Sequence, residues 1–168
     1  KLVLRDVLQN INTDDKHIGS QYNENKKKVL KLVPPGGCWV NLPLEIQKSY
    51  MKKSFFSGGG KRGIARRISW DEPSLTLMTS PQQKQTERCH PDETRPFTVR
   101  EYARIQSFPD NWKLSGSLRN QYKQIGNAVP VSLGHAIGKL IINHMNKKKI
   151  KTINGFRYSR YLNTSDLD

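Results

Sequence analysis

The sequence predicts an α+β fold, in which an irregular, loop-rich β module precedes a short helical closing segment. Residues 28–94 contain short strand-like runs separated by Pro-Pro-Gly-Gly and Gly-Gly-Gly, which are typical loop sequences. The runs are Val29–Val33, Ile64–Ile68 and Leu75–Thr79. Residues 95–146 instead carry apolar side chains at helical spacing, which predicts that the second part is α-helical.

The first predicted helix of the closing segment begins at Thr98. Thr98 and Glu101 have the Thr-x-x-Glu spacing of a capping box, in which each side chain satisfies a backbone donor at a helix start. Phe97 is placed to act as a hydrophobic staple, and Pro109 ends the helix. The pattern predicts a short helix with well-defined ends.

A second helix is predicted from Leu118 to Ile125, with Gly126-Asn127 as a tight turn after it. Pro130 then begins an amphipathic helix whose apolar positions continue to Met145. Free backbone N–H groups at such a helix start suit the carboxylate of a small ligand. A simple helix-turn-helix connection would have the same spacing, so both interpretations stay open.

Charge points to a polyanionic partner. The chain has a formal net charge of +15 and a pI near 10.0. The stretch Ile46–Trp70 contains seven Lys or Arg residues and no Asp or Glu, interleaved with aromatic residues. This pattern favours a nucleic-acid partner, although a merely solvated basic surface would also produce it. Hydrophobic residues make up only 35% of the chain, so we expect an exposed face where another part of the protein docks.

Three further site types are not predicted. Residues Gly58–Gly63 satisfy G-x-G-x-x-G, but lysines precede them instead of a buried strand, so we interpret these glycines as allowing close backbone approach to DNA. Cys38, Cys89 and His90 lack paired metal-ligand spacing, so no metal site is expected. No apolar run approaches the length of a membrane span, and the chain is predicted to be cytoplasmic, with no membrane partner.

Two closely spaced segments resemble a known family. Arg95–Asp110 resembles the ninth sequence motif of the cytosine-5 DNA methyltransferases, and Gln121–Pro130 resembles their tenth, in the same order. Upstream stretches are similar to the variable target-recognition region of bacterial restriction-modification members, and the opening segment resembles the region after the eighth motif. These stretches are Leu32–Pro43, Ser57–Leu77 and Gln83–Pro91, and the opening segment is Leu4–Leu8.

The resemblance implies an enzyme that transfers a methyl group from S-adenosylmethionine to carbon 5 of a cytosine flipped out of duplex DNA. The family's nucleophile sits in a Pro-Cys loop, accompanied by a Glu-Asn-Val motif and a glycine-rich cofactor loop, and none of these occurs in this sequence. Cys38 follows Gly37 and Cys89 follows Arg88, so neither cysteine has the required context. We therefore expect no catalytic residue in this chain and no activity from it alone.

The resemblance also implies a division of the chain and a partner. We expect a linker from the catalytic domain in residues 1–27, a target-recognition domain in 28–94, a closing segment in 95–146 and a basic tail in 147–168. The closing segment would pack on a doubly wound methyltransferase domain in an N-terminal catalytic half, supplied by the same chain or a separate subunit. That half would bind most of the S-adenosylmethionine. The alternative is an autonomous or truncated DNA-binding module without catalysis.

Candidate site residues follow for both ligands. The resemblance places Asn127 and Ala128 against S-adenosylmethionine, although Asn127 could serve only the turn. For DNA, the arginine guanidinium matches the N7 and O6 acceptors of guanine, and family resemblance adds a Thr-Leu pair that positions the recognition region. Strand alternation would place Arg66 and Arg67 on opposite faces, so at least one would contact phosphate or serve structure. The full set of candidate DNA-binding residues is Arg62, Arg66, Arg67, Thr76, Gln82 and Lys84.

Overall fold

The computed structural model describes residues 2–11 and 18–148, and within these ranges the secondary structure is helical. The predicted basic tail lies almost entirely outside the described residues. The α-helices are α1 (Leu4–Leu8), α2 (Glu24–Lys31), α3 (Leu44–Met51), α4 (Val99–Ile105), α5 (Leu118–Asn127) and α6 (Val131–Met145). Short 3-10 helices occupy Trp39–Asn41, Lys52–Phe55 and Lys84–Thr86.

The prediction of an α+β fold with a β module is wrong. Across the described ranges there is no β-strand, and β pairing is limited to the isolated bridges Arg67–Cys89 and Cys89–Pro96. Most of the run Val29–Val33 belongs to α2, because the Asn23 side chain accepts a hydrogen bond from the Lys26 amide at 2.9 Å and caps a helix there. The other two runs form irregular loops. Their apolar side chains are buried by packing on helices instead of by strand pairing.

Two apolar clusters hold the chain together. The first joins α1, α4 and α5 to the loop residues Ile68 and Leu77. The second joins α2 and α3 to the segment around Ile64 and Cys89. Leu4 and Leu8 of α1 are buried in the first cluster, so the beginning of the chain is part of the fold's core.

The predicted capping box at the start of α4 is confirmed. The Thr98 amide donates to Oε2 of Glu101 at 2.6 Å, and the Glu101 amide donates to Oγ1 of Thr98 at 3.2 Å. Arg95 donates to both carboxylate oxygens of Glu101 at 2.7 and 2.9 Å. Burial alone would raise the pKa of Glu101, but Arg95 and the Thr98 amide hold that pKa below its usual value.

Arg67 provides an interior cross-link between loops. Its side chain is buried, and Nε and Nη2 donate to the carbonyl oxygens of Val33 and Leu30, each at 2.7 Å. Nη1 lies 3.0 Å from the His90 carbonyl oxygen and 3.2 Å from that of Pro91. One guanidinium therefore satisfies carbonyl groups at the end of α2 and in the loop that precedes α4.

We expect Arg67→Met to lower the free energy of unfolding by about 3 kcal/mol, because it leaves several buried carbonyl groups without a donor. Arg62→Met, at an exposed arginine of the same segment, is the matched control and should change stability by no more than about 0.5 kcal/mol. Urea denaturation followed by circular dichroism measures both values. Equal effects of the two substitutions would contradict the cross-linking role of Arg67.

Helix α6 begins after Pro130, as the sequence predicts, and leaves its apolar side chains in solvent. Leu133, Ile137 and Leu140 are each about half exposed, at 50%, 45% and 49%, and no residue of α6 is buried. By length and composition alone, Leu118–Met145 is apolar enough to cross a membrane, although it comprises two helices, α5 and α6. The exposed apolar surface belongs to α6, because Tyr122 and Ile125 of α5 are buried.

Candidate functional site

The end of α4 is bonded directly to the α5–α6 connection. Gln106 is buried, and its Nε2 donates to the carbonyl oxygens of Ile125 and Ala128 at 3.1 and 3.2 Å. The Gln106 carbonyl oxygen in turn accepts the Val131 amide at 3.1 Å. Oγ of Ser107 accepts the Ser132 amide at 2.9 Å. These bonds fix the direction in which α6 leaves the core.

Gly126 differs from its predicted role. Helix α5 continues through Asn127, so Gly126 lies in its last turn and does not form a tight turn after it. A Cβ atom at Gly126 would lie 2.7 Å from both the Met78 carbonyl carbon and the Thr79 nitrogen. Glycine is required here because two backbone segments approach each other closely.

The two candidate cofactor residues lie at this junction. Asn127 is exposed and Ala128 is half-buried. The predicted free N–H groups at the start of α6 are partly used, because the Val131 and Ser132 amides donate to Gln106 and Ser107. This geometry favours a structural connection over a dedicated carboxylate site at the helix start.

Ala128 shares a cleft with Thr76, the candidate DNA-contacting residue of the Thr-Leu pair. The cleft has a volume of about 540 Å³ and lies between α1, the Thr76-Leu77 segment and the ends of α4 and α5. The Thr76 carbonyl oxygen accepts hydrogen bonds from Arg88 at 3.1 and 3.2 Å, and Leu77 is buried in the core. The fold therefore brings together residues 52 positions apart in the sequence.

We expect Gly126→Ala to destabilise the chain by about 1 to 3 kcal/mol, because the new methyl group would overlap backbone atoms that cannot move independently. Gly134→Ala is the matched control, since a Cβ there meets nothing within 4 Å and alanine is the better helix former. The control should raise stability by up to about 1 kcal/mol. Thermal or urea unfolding compares them, and tolerance of Gly126→Ala would contradict the close approach.

The three candidate arginines have different environments. Arg62 is exposed, with Nη1 3.9 Å from the Cys38 sulfur, and is available to solvent. Arg66 is largely covered, and its Nη2 lies 3.4 Å from the Glu72 carboxylate. Arg67 points inward, and its guanidinium holds loops together by donating to the carbonyl oxygens of Val33 and His90. Arg62 is thus the most accessible of the three.

Gln82 and Lys84 are exposed and lie beside α2 and α3. The Gln82 side chain donates a hydrogen bond to the Gln21 carbonyl oxygen. The backbone carbonyl oxygen of Gln82 accepts a hydrogen bond from Nζ of Lys26 at 2.8 Å. Nζ of Lys84 donates to the Tyr50 carbonyl oxygen at 2.7 Å and lies 4.6 Å from the centre of the Tyr50 ring. Both side chains are held at the surface by these contacts.

A buried charge cluster surrounds Glu87, and sequence reasoning did not predict it. This carboxylate is fully buried, forms an ion pair with Lys26, and accepts hydrogen bonds from the Ala65 amide at 2.5 Å and the Tyr50 hydroxyl at 3.2 Å. Burial raises the pKa of Glu87, and the Lys26 ammonium opposes that shift. Its partners lie 22 to 61 positions away, so no local motif announces the cluster.

Both cysteines are buried, at 1% exposure for Cys38 and 0% for Cys89. The Cys89 thiol lies 3.6 Å from the Glu93 carbonyl oxygen, and burial raises the pKa of this thiol to about 11. Neither sulfur has the exposure of a nucleophile, and the raised pKa of the Cys89 thiol disfavours the reactive thiolate. Within residues 2–11 and 18–148, no group of three or more His, Cys, Asp or Glu side chains could hold a metal ion.

Comparison with known proteins gives a consistent assignment. Residues 1–143 match the family described as C-5 cytosine-specific DNA methylase. The match extends over the predicted linker, the predicted recognition domain and nearly all of the closing segment. It therefore does not single out residues 28–94 as a separate strand-rich module.

Bacterial relatives are closely similar. The chain is 69% identical to the Type II methyltransferase M.Sau96I of Staphylococcus aureus over 75% of its length, which is 29% of the relative. It is 57% identical to M.Eco47II of Escherichia coli over 87% of its length, or 36% of that relative. It is 62% identical to M.PspPI of a Psychrobacter strain over 76% of its length, which is 31% of that relative. The chain therefore spans about a third of the length of these three relatives.

Proposed function

Since the chain belongs to the C-5 cytosine-specific DNA methylase family, we propose that it is the DNA-recognition and cofactor-closing portion of a cytosine-5 DNA methyltransferase. The complete enzyme would transfer methyl from S-adenosylmethionine to cytosine in a specific duplex site, in the cytoplasm. In this proposal, Arg95–Asp110 and Gln121–Pro130 are the ninth and tenth motifs. Residues 28–94 form the recognition domain and 147–168 a basic tail, and residues 1–27 would link to the catalytic half, with α1 packed in the core of this chain.

The observation that carries the proposal is the open apolar face of α6. Its exposed Leu133, Ile137 and Leu140 would be unfavourable in water unless another surface covered them. Gln106 and Ser107 hold the start of this helix at a fixed angle, so the face is presented as a rigid docking element. We propose that the N-terminal catalytic half, in the same chain or as a separate subunit, packs against it. This arrangement favours the methyltransferase portion over an autonomous DNA-binding module.

The basic side of the chain would bind the duplex. Arg62, Gln82 and Lys84 are exposed, and the acid-free stretch Ile46–Trp70 supplies further positive charge. Thr76 would position the recognition loops at the cleft that Ala128 also lines. Arg66 would contact DNA only after releasing Glu72, and we assign Arg67 a structural role because of its burial.

The chemistry would come from the catalytic half. Cys38 and Cys89 are both buried, and neither follows a proline, which supports the absence of a catalytic cysteine from this chain. S-adenosylmethionine would be bound mainly by the catalytic half and closed over by Asn127 and Ala128. The cofactor supplies the electrophilic methyl group, whereas this chain would hold DNA and complete the wall of the site.

We expect the 168-residue chain alone to transfer no methyl group, and to gain activity when combined with a polypeptide that carries the catalytic half. Incorporation of tritiated methyl groups into DNA measures this. Leu140→Asp places a charge on the docking face and should reduce the gained activity at least about tenfold, which corresponds to 1.4 kcal/mol of association free energy. Lys139→Gln, at an exposed polar position of α6 outside the Leu133–Ile137–Leu140 stripe, is the control and should leave it unchanged. Methyl transfer by the isolated chain would refute the proposal.

Asn127→Ala should raise the dissociation constant for S-adenosylmethionine in the assembled enzyme by about two- to tenfold, the value of one lost hydrogen bond. Isothermal titration calorimetry measures the constant. Lys123→Ala, one turn earlier on the exposed side of α5, is the control. If folding is intact and cofactor affinity does not change, Asn127 serves only the helix end.

A further inference from the structure

The loop that follows α3 exposes a large aromatic side chain. Phe56 is 81% exposed, the highest value among the large hydrophobic residues of the described chain. Its neighbour Phe55 is half-buried and packs edge-on against Trp39, with ring centres 6.1 Å apart. The Phe56 ring contacts Phe55 edge-on, with ring centres 5.2 Å apart, and most of its surface lies in solvent.

Hydrogen bonds within the loop fix this arrangement. Nζ of Lys61 donates to the carbonyl oxygens of Ser54 and Ser57 at 2.7 and 2.5 Å. The Ser57 hydroxyl donates to the Lys53 carbonyl oxygen at 3.2 Å. These contacts close the base of the loop on both sides of Phe56. Exposure of the ring is thus a property of an organised loop and not of a frayed end.

The surroundings of Phe56 are basic and open. Lys52, Lys53 and Arg62 are exposed, and no acidic residue occurs between Ile46 and Trp70. A Cβ atom at Gly58 or Gly59 would meet nothing within 4 Å, so the backbone beside the ring is accessible. Protein–protein interfaces are depleted of lysine, whereas DNA-binding surfaces combine positive charge with apolar side chains that reach the bases. Charge complementarity therefore selects DNA as the occupant.

We propose that Phe56 is an apolar wedge that this loop inserts against the bases of duplex DNA while Lys52 and Lys53 contact the flanking phosphates. The inference rests on the proposed DNA-binding role of the chain. It adds a residue, Phe56, that would contact the bases by stacking instead of by hydrogen bonding. Partial separation of a base step would then accompany binding.

The first test measures affinity against salt concentration for the 168-residue chain and a fluorescein-labelled, mixed-sequence duplex. Phe56→Ala should weaken binding about tenfold at every salt concentration without changing the slope, because stacking releases no counterion. Lys53→Ala should reduce the slope by about 1, since it removes a phosphate contact. Phe56→Trp should retain the affinity, and Leu44→Ala, at an exposed apolar residue of the same region, should have no effect.

The second test places 2-aminopurine within a short duplex and follows its fluorescence on binding. The parent chain should raise the fluorescence by unstacking the reporter base, and Phe56→Ala should not at matched saturation. If the parent binds DNA with a steep salt dependence but Phe56→Ala binds and unstacks equally well, the wedge is overturned and DNA binding stands. If the parent shows no salt-dependent binding, the wedge is overturned, and methyl transfer by the assembled enzyme decides the proposed function separately.

Discussion

The buried guanidinium of Arg67 is the interaction on which the rest of this structure depends. Within the described residues, no sheet satisfies the backbone of the loops, so their interior carbonyl groups need donors from elsewhere. Arg67 supplies these donors to the end of α2 and to the segment before α4. The second apolar cluster therefore keeps a fixed position relative to the start of α4, although only irregular loops connect the two.

Local signals predicted the closing helices well. Thr98 and Glu101 are three residues apart, and their reciprocal bonds form whatever the distant chain does, so this helix start could be predicted from the sequence. The apolar residues of Val29–Val33 resemble a strand, but the Asn23 cap six residues before Val29 commits the segment to a helix. The roles of Arg67 and Glu87 depend on partners many residues away, and neither charge has a local pattern that signals burial. The same limit applies to Gly126. Any side chain there would clash with the backbone of Met78 and Thr79, which lie far away in the sequence.

The candidate site is consequently distributed over two surfaces with different chemistry. One is the junction at Gln106, where the end of α4, the end of α5 and the start of α6 are joined by hydrogen bonds. The other is the basic side formed by Ile46–Trp70, a stretch with seven Lys or Arg residues and no Asp or Glu. The cleft lined by Thr76 and Ala128 lies at the junction. A displacement of the Thr76 segment would therefore shift residues at the end of α5. In the proposed enzyme, this connection would couple DNA binding to the position of Asn127 and Ala128 beside the cofactor.

The burial of both thiols has a practical consequence for spectroscopy. Cys38 and Cys89 are inaccessible, and the high pKa of Cys89 keeps its sulfur protonated at neutral pH, so maleimide reagents should react slowly with the folded chain. A cysteine introduced at an exposed position such as Gln83 would be alkylated selectively without removal of the native pair. The fold thus already provides a silent background for attaching a fluorophore or spin label beside the basic surface.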